Sequence, residues 1–161
     1  MATVYIETTI VSYLTAKPSS QVVAAARQVL TRQWWDQDRL HYDLVTSQYV
    51  LDEASRGDSQ FVRLRLDALT DIPLLDLPDD IPELARELLA RSVLPPKARL
   101  DALHIAVAAF HGVEYLLTWN CTHIANARIL PRVDAALGDL GYPTPVICTP
   151  EEMVGDAFAI E

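Results

Sequence analysis

Short apolar strands alternate with segments of helical length along the whole chain, and this alternation limits the possible folds more than any other feature. The runs with the β-branched and aromatic composition of strands are TVYI (3–6), YDLVTS (42–47), IPLLDL (72–77), EYLLT (114–118) and TPVIC (144–148). Helices that connect successive strands place those strands parallel in one sheet, with helices on both faces. The 161 residues contain no repeat or linker. The sequence therefore predicts a single α/β domain over residues 1–161.

Composition indicates a protein without membrane segments or a disulfide framework. No apolar run reaches the roughly 18 residues of a membrane span, and the first residues, MATVYIETTI, lack the basic flank of a secretory signal. Cys121 and Cys148 are too few for a disulfide framework, and no Cys and His spacing resembles a zinc site. We therefore expect a cytoplasmic protein that has no membrane partner.

The chain carries a formal net charge of −9, which argues against binding of nucleic acid by bulk positive charge. A nucleic-acid enzyme could still use a local cluster of cations. The candidates for such a cluster are Lys97, Arg99, Arg128 and Arg132. The alternative for each of them is a solvated charge on an unrelated part of the surface.

Three carboxylates and one carboxamide fall near the ends of predicted strands. Glu7 directly follows the first strand, and Asn120 follows the fourth. Glu53 lies in the helix after the second strand, and Asp101 opens the helix before the fourth. Functional residues of parallel sheets gather at the carboxyl ends of the strands, and crowded carboxylates favour a cation. Because Mg²⁺ and Mn²⁺ prefer oxygen ligands, we predict a metal site of Glu7, Glu53 and Asp101, with Asn120 beside it.

Each of these four residues also has a plain structural interpretation. Glu7 could cap the helix that follows it, TTIVSYL, and Glu53 could be a solvated helix residue. Asp101 could favour the positive N-terminus of its helix, an effect worth about 0.3–1 kcal/mol. Asn120 could be a turn residue. Their joint position around one crevice favours a functional site over four unrelated roles.

Two histidines lie close to these residues in the sequence. His104 follows Asp101 by one helical turn, so it could hydrogen-bond that carboxylate. The alternative is a core histidine that has other partners. His123 follows Asn120 by three residues and could bind a phosphate or donate a proton to a leaving group. Its alternative is a role in a turn or a helix cap.

Four segments resemble, in order, the successive motifs of PIN-domain proteins, especially the VapC-like toxins of bacterial toxin–antitoxin pairs. They are YIETTIVSYL, VLDEASRG, RLDALHIAVAA and LLTWNCTHIAN. The resemblance implies an α/β/α sandwich with a central parallel sheet, and cleavage of RNA that depends on Mg or Mn. By position, it implies that Glu7, Glu53 and Asp101 are the acids and that Asn120 takes the fourth position. It further implies a homodimer that a cognate antitoxin holds inactive.

Two positions depart from the family pattern. The family usually has aspartate where Glu7 stands and an acid where Asn120 stands. One additional methylene moves a carboxylate by about 1.5 Å, and a carboxamide contributes no charge. The resemblance as a whole implies a metal-dependent endoribonuclease that cleaves single-stranded RNA. The alternative is a catalytically weakened scaffold that binds RNA or a protein partner.

Overall fold

The computed structural model describes residues 1–154, which form four strands and eight α-helices. The strands are β1 (Thr3–Ile6), β2 (Asp43–Val45), β3 (Tyr115–Leu117) and β4 (Val146–Cys148). The helices are α1 (Thr8–Thr15), α2 (Val22–Asp36), α3 (Gln48–Ala54), α4 (Ser59–Leu69), α5 (Asp80–Ala90), α6 (Arg99–Phe110), α7 (Leu130–Leu140) and α8 (Pro150–Met153). A 3₁₀ turn covers Asp38–His41.

All four strands are parallel and form one sheet in the order β2-β1-β3-β4. The first strand of the chain is therefore central in the sheet, and within it Val4 pairs with Tyr115 of β3. Val4, Tyr5 and Ile6 are fully buried, as expected for a parallel strand that helices cover on both faces. The predicted α/β fold with a central parallel sheet is confirmed.

The prediction of a strand at IPLLDL (72–77) is wrong. Within this segment only Leu74 forms a bridge, in parallel orientation with Thr46. Thr46 N donates to Pro73 O, and Leu75 N donates to Thr46 O. Pro73 has no N–H with which to extend the ladder in one direction, and the chain enters α3 two residues after Thr46. The segment has the composition of a strand but pairs with no strand of the described residues.

Helix α6 is buried on all sides. Residues 102–109 are all buried, and the helix packs against α5 and contacts β3. An apolar surface around the whole circumference is the pattern of a core helix. Gly112 follows the helix with φ of +63°, a left-handed conformation that glycine adopts without steric cost. Asp101, in the first turn of α6, is therefore held at one end of a core helix.

The carboxyl ends of β1 and β3 lie side by side. Glu7 N donates to Leu117 O at 3.2 Å, which keeps the residues that follow the two strands adjacent. Helix α1 begins at Thr8, directly after Glu7, while the chain beyond β3 continues through Thr118 and Asn120 in irregular structure. This edge of the sheet is where the candidate site forms.

The buried apolar residues within the described range form one core cluster. The prediction of a single domain over residues 1–161 includes residues outside the described range and stays a prediction. Among residues 1–154, no helix combines the length and the apolar character needed to cross a bilayer.

Candidate active site

Glu7 is 3% exposed and caps the N-terminus of α1. Its Oε2 atom accepts hydrogen bonds from Thr9 N at 2.8 Å and from the hydroxyls of Thr9 and Thr118. Burial raises the pKa of Glu7, and the nearby His104 and these hydrogen bonds offset only part of that effect. The interpretation of Glu7 as a helix cap is therefore correct. Capping occupies Oε2 alone, and Oε1 accepts no hydrogen bond from residues 1–154.

Glu53 lies on α3, where its Oε1 atom accepts a hydrogen bond from Thr8 Oγ1 at 2.8 Å and lies 2.5 Å from His104 Nε2. Burial opposes ionisation of Glu53, but the hydrogen bond and the charge of His104 outweigh it and lower the pKa of Glu53. Glu53 is therefore a charged carboxylate that is bonded to Thr8 and His104, and not a solvated helix residue.

His104 is fully buried and uses both ring nitrogens. Nε2 contacts Glu53, Nδ1 lies 2.8 Å from Tyr5 Oη, and that hydroxyl lies 2.7 Å from Ser47 Oγ. His104 forms no hydrogen bond with Asp101. Two residues three positions apart differ by about 60° around a helix axis, and here His104 faces β1 while Asp101 faces the chain after β3. The interpretation of His104 as a core histidine with other partners is correct.

All three carboxylates nevertheless lie within electrostatic reach of His104. Burial disfavours the imidazolium, but the hydrogen bond to Glu53 and the negative charges of Glu7, Glu53 and Asp101 outweigh burial and raise the pKa of His104. The three acids thus share one buried neighbour, His104, which forms an ion pair with Glu53.

Asp101 is bonded to side chains from the segment after β3. Its Oδ1 atom accepts a hydrogen bond from Asn120 Nδ2 at 2.9 Å, and its Oδ2 atom lies 2.9 Å from His123 Nδ1. Asn120 Oδ1 in turn accepts a hydrogen bond from His123 N at 3.0 Å. The side chains of Asp101 and His123 are 18% and 21% exposed, so this pair lies at the border of the core. Asn120 therefore does more than form a turn.

Thr118 connects Glu7 with the Asp101 group. Its hydroxyl donates to Glu7 Oε2 at 3.0 Å and accepts a hydrogen bond from Asn120 N at 2.9 Å. One continuous hydrogen-bonded network therefore contains Glu7, Thr118, Asn120, Asp101 and His123. The fold brings together the residues that the sequence singles out on β1, α6 and the end of β3, and the Glu53–His104 pair lies next to them.

Four hydroxyl residues of the site are not among the candidates from the sequence: Tyr5, Ser47, Thr8 and Thr9. A tyrosine in a buried strand needs a hydrogen-bond partner, and Tyr5 lies two residues before Glu7, which is the spacing of one strand face. Ser47 precedes α3 but makes no capping bond, because its hydroxyl bonds Tyr5. The strand period was the available signal for Tyr5.

The acidic side chains of this site are of the chemical type that binds divalent cations. Carboxylate oxygens are the ligands that Mg²⁺ and Mn²⁺ prefer, and neither Glu7 Oε1 nor Glu53 Oε2 accepts a hydrogen bond from residues 1–154. Both oxygens of Asp101 are already bonded. Within the described range, no three His, Cys, Asp or Glu side chains are grouped so as to hold an ion. Asp101 would therefore have to exchange a hydrogen bond to become a ligand.

Residues 4–120 match the family model of the PIN domain. The chain belongs to the PIN domain family. The matched range includes Glu7, Glu53, Asp101 and Asn120 but ends before His123. PIN domains are generally nucleases, and they typically use divalent metal ions.

The fold is similar to that of a chain in the crystal structure of VapBC2 from Rickettsia felis bound to a DNA fragment from their promoter. The TM-score is 0.52 at 16% sequence identity, over 91% of this chain and 98% of that chain. The predicted PIN-like fold is thereby confirmed. None of the curated proteins matches this PIN-domain chain.

Proposed function

We propose that this PIN-domain protein is a metal-dependent endoribonuclease that cleaves single-stranded RNA at the acidic site. The observation that carries the proposal is how three acids from separate elements are connected. Hydrogen bonds through Thr118 and Asn120 join Glu7 to Asp101, and Glu53 contacts the neighbouring His104. Crowded carboxylates repel one another, so packing alone does not favour three of them in one place. Membership of a family of nucleases supports the same chemistry.

Glu7, Glu53 and Asp101 are the residues that would hold Mg or Mn. When bound, such an ion lowers the pKa of a coordinated water and neutralises charge that develops on the phosphate. Asn120 holds the Asp101 carboxylate through its amide and adds no charge.

His104 and His123 differ in what they can contact. His104 is fully buried, so it holds Glu53 in place and does not meet substrate. His123 is partly exposed, and Asp101 accepts the hydrogen bond from its Nδ1 atom, which fixes the orientation of the ring. In its protonated form, the Nε2–H of His123 can bond a phosphate oxygen or donate a proton to the leaving oxygen.

The proposal extends to the biological setting of the protein. We take it to be the toxin of a toxin–antitoxin pair, a cytoplasmic homodimer whose acidic crevice a cognate antitoxin covers. The shared fold with a chain of the VapBC2 complex supports this assignment. A neighbouring gene for a small DNA-binding protein would be the matching antitoxin.

A second candidate is a PIN-fold scaffold that binds RNA or a protein partner without cleaving. The observation that favours it is that protein donors already bond all three carboxylates. Glutamate at position 7 and asparagine at position 120 also depart from the acids that the resemblance implies there.

Cleavage of a broad pool of single-stranded RNA separates the two candidates. The nuclease should cleave with Mn²⁺ or Mg²⁺ and stop with EDTA, and both Glu53→Gln and Asp101→Asn should abolish cleavage. Asp52→Asn is the matched control, because it removes the same charge from an exposed neighbour of Glu53 on α3 and should leave the rate unchanged.

Calorimetry without RNA tests the metal site by itself. The wild-type protein should bind Mn²⁺, Asp101→Asn should bind it more weakly, and Asp52→Asn should bind it as the wild type does. Wild-type protein that binds neither Mn²⁺ nor Mg²⁺ would refute the metal site. RNA binding without any cleavage, with both ions supplied, would assign the protein to the scaffold class.

A further inference from the structure

A groove of about 470 Å³ adjoins the candidate active site. Its walls are the α5–α6 connection, the segment before α7 and the first turn of α7. His123 is part of both the candidate active site and the groove, because its Nδ1 atom bonds Asp101 and its side chain also lines the groove. A molecule whose reacting bond lies at the acids can therefore continue directly into this groove.

The groove is positively charged, although the chain has 22 acidic and only 13 basic residues. Arg128 and Arg132 line it, both are exposed, and neither forms an ion pair with any of residues 1–154. Of residues 1–154, no Asp or Glu lines it. Two other surface grooves of the protein are rich in acids. Their acidic lining residues are Asp80, Glu83 and Glu87 in one, and Asp43, Asp67 and Asp71 in the other.

The same groove also offers apolar surface and polar side chains. Pro95, Pro96 and Ile129 provide the apolar part, and Thr122 and Asn126 provide hydrogen-bonding groups. Single-stranded nucleic acid presents charged phosphates together with unstacked bases, and proteins bind it with cations beside apolar or aromatic surface. The chemistry of this groove, which we call the basic groove, matches that of a single strand.

Two asparagines fix the basic groove relative to the acids. Asn120 bonds both Asp101 and the backbone N–H of His123. Asn126 Oδ1 accepts a hydrogen bond from Arg128 N at 2.9 Å, and its Nδ2 donates to Cys121 O at 2.9 Å. The position of Arg128 is thus tied to the acidic site through side-chain hydrogen bonds.

We propose that the phosphates of single-stranded RNA next to the cleaved bond lie in the basic groove, where Arg128 and Arg132 bind them. This inference rests on the proposed function and deepens it, because it names where the substrate strand runs. Of the four cations that the sequence singles out, only Arg128 and Arg132 line the groove; Lys97 and Arg99 are exposed but do not.

The test measures RNA binding in EDTA, so that binding is observed without cleavage. A fluorescent, unstructured RNA is titrated with the wild type, with Arg128→Gln/Arg132→Gln, and with the control Arg63→Gln/Arg86→Gln. The control removes two exposed arginines from α4 and α5, which likewise form no ion pair with residues 1–154. Thermal denaturation of all three proteins checks that the substitutions leave the fold intact.

The groove variant should lose affinity, whereas the control should not. Loss of two phosphate contacts should reduce the slope of log K against log salt by about 1.4 and weaken binding roughly 25-fold at about 0.1 M salt. Equal affinities and slopes for the two double variants would overturn the proposal, and so would a wild type without salt-dependent RNA binding. A groove variant that binds weakly, in a protein that never cleaves, would refute the nuclease assignment alone.

Discussion

Replacing His104 with leucine tests how much the buried ion pair with Glu53 stabilises the fold. The substitution leaves the Glu53 carboxylate with a single protein donor, the Thr8 hydroxyl, and leaves Tyr5 bonded to Ser47. Removing one partner of a buried pair typically destabilises a protein by about 3–5 kcal/mol, because the remaining charge is uncompensated. The Glu53 side chain is 23% exposed, so water can solvate part of its charge. We therefore expect a loss of about 2–3 kcal/mol.

The same substitution should be less harmful when Glu53 is already neutral. In a Glu53→Gln background there is no Glu53 charge to leave unpaired, and the loss on His104→Leu should fall by about 1 kcal/mol or more. This difference is the coupling between the two side chains. It separates the ion pair from the packing change at position 104, because the packing change is the same in both backgrounds.

The pair should also make stability depend on pH in a definite direction. The raised pKa of His104 means that its contribution is fully present below the ordinary value of 6.5 and is lost as pH rises through the raised pKa. The lowered pKa of Glu53 means that its contribution is present above the ordinary value of 4.5 and is lost as pH falls through the lowered pKa. The effect of His104→Leu should therefore be largest between these two ordinary values.

Urea denaturation followed by circular dichroism, at several pH values, measures all of these quantities. The wild type, the two single variants and the double variant form one cycle. Equal losses from His104→Leu in both backgrounds would refute the reasoning. A loss that stays constant between about pH 6 and about pH 9 would refute it as well, because the ion pair requires the protonated imidazole.

Two further substitutions test the site and its surroundings. Asn120→Asp replaces the amide that donates to Asp101 Oδ1 with a second carboxylate, so the melting temperature should fall without divalent ions. Added Mn²⁺ should then raise it more than in the wild type in thermal denaturation, and an equal response would argue against an ion beside Asp101. Ser92 has φ of 57°, a conformation that costs an L-residue roughly 1–2 kcal/mol. Ser92→Gly should therefore raise the free energy of unfolding by about 0.5–1 kcal/mol, after allowance for the flexibility of glycine; a decrease in urea denaturation would contradict this.

The central sheet could be predicted because its strands have a clear local composition. TVYI, EYLLT and TPVIC are short apolar runs between helical segments, and the rule for parallel sheets then places Glu7 and Asn120 at one edge. The run IPLLDL has a similar composition, but a strand also needs a partner. Pro73 and the early start of α3 remove that partner, and composition does not show this.

The hydrogen-bond partners inside the site could not be predicted, for two physical reasons. Helix α6 is apolar around its whole circumference, so no hydrophobic stripe indicates which side faces β1. For that reason the sequence does not decide whether His104 bonds Asp101 or Glu53. The contact between His123 and Asp101 depends on an irregular segment after β3, whose path follows from bonds of Asn120 and Asn126 rather than from a repeating pattern.

The central place of β1 in the sheet determines when the site can assemble during synthesis. β1 is made first, yet its inner neighbour is β3, and Val4 pairs with Tyr115. Pairing over such a sequence distance is slow to form and requires the later strand to be present. Glu7 likewise obtains its bond from Thr118 only when that segment has emerged. A nascent chain that ends before Tyr115 therefore has neither a completed sheet nor a connected acidic site. Most of this chain must emerge from the ribosome before the site can form.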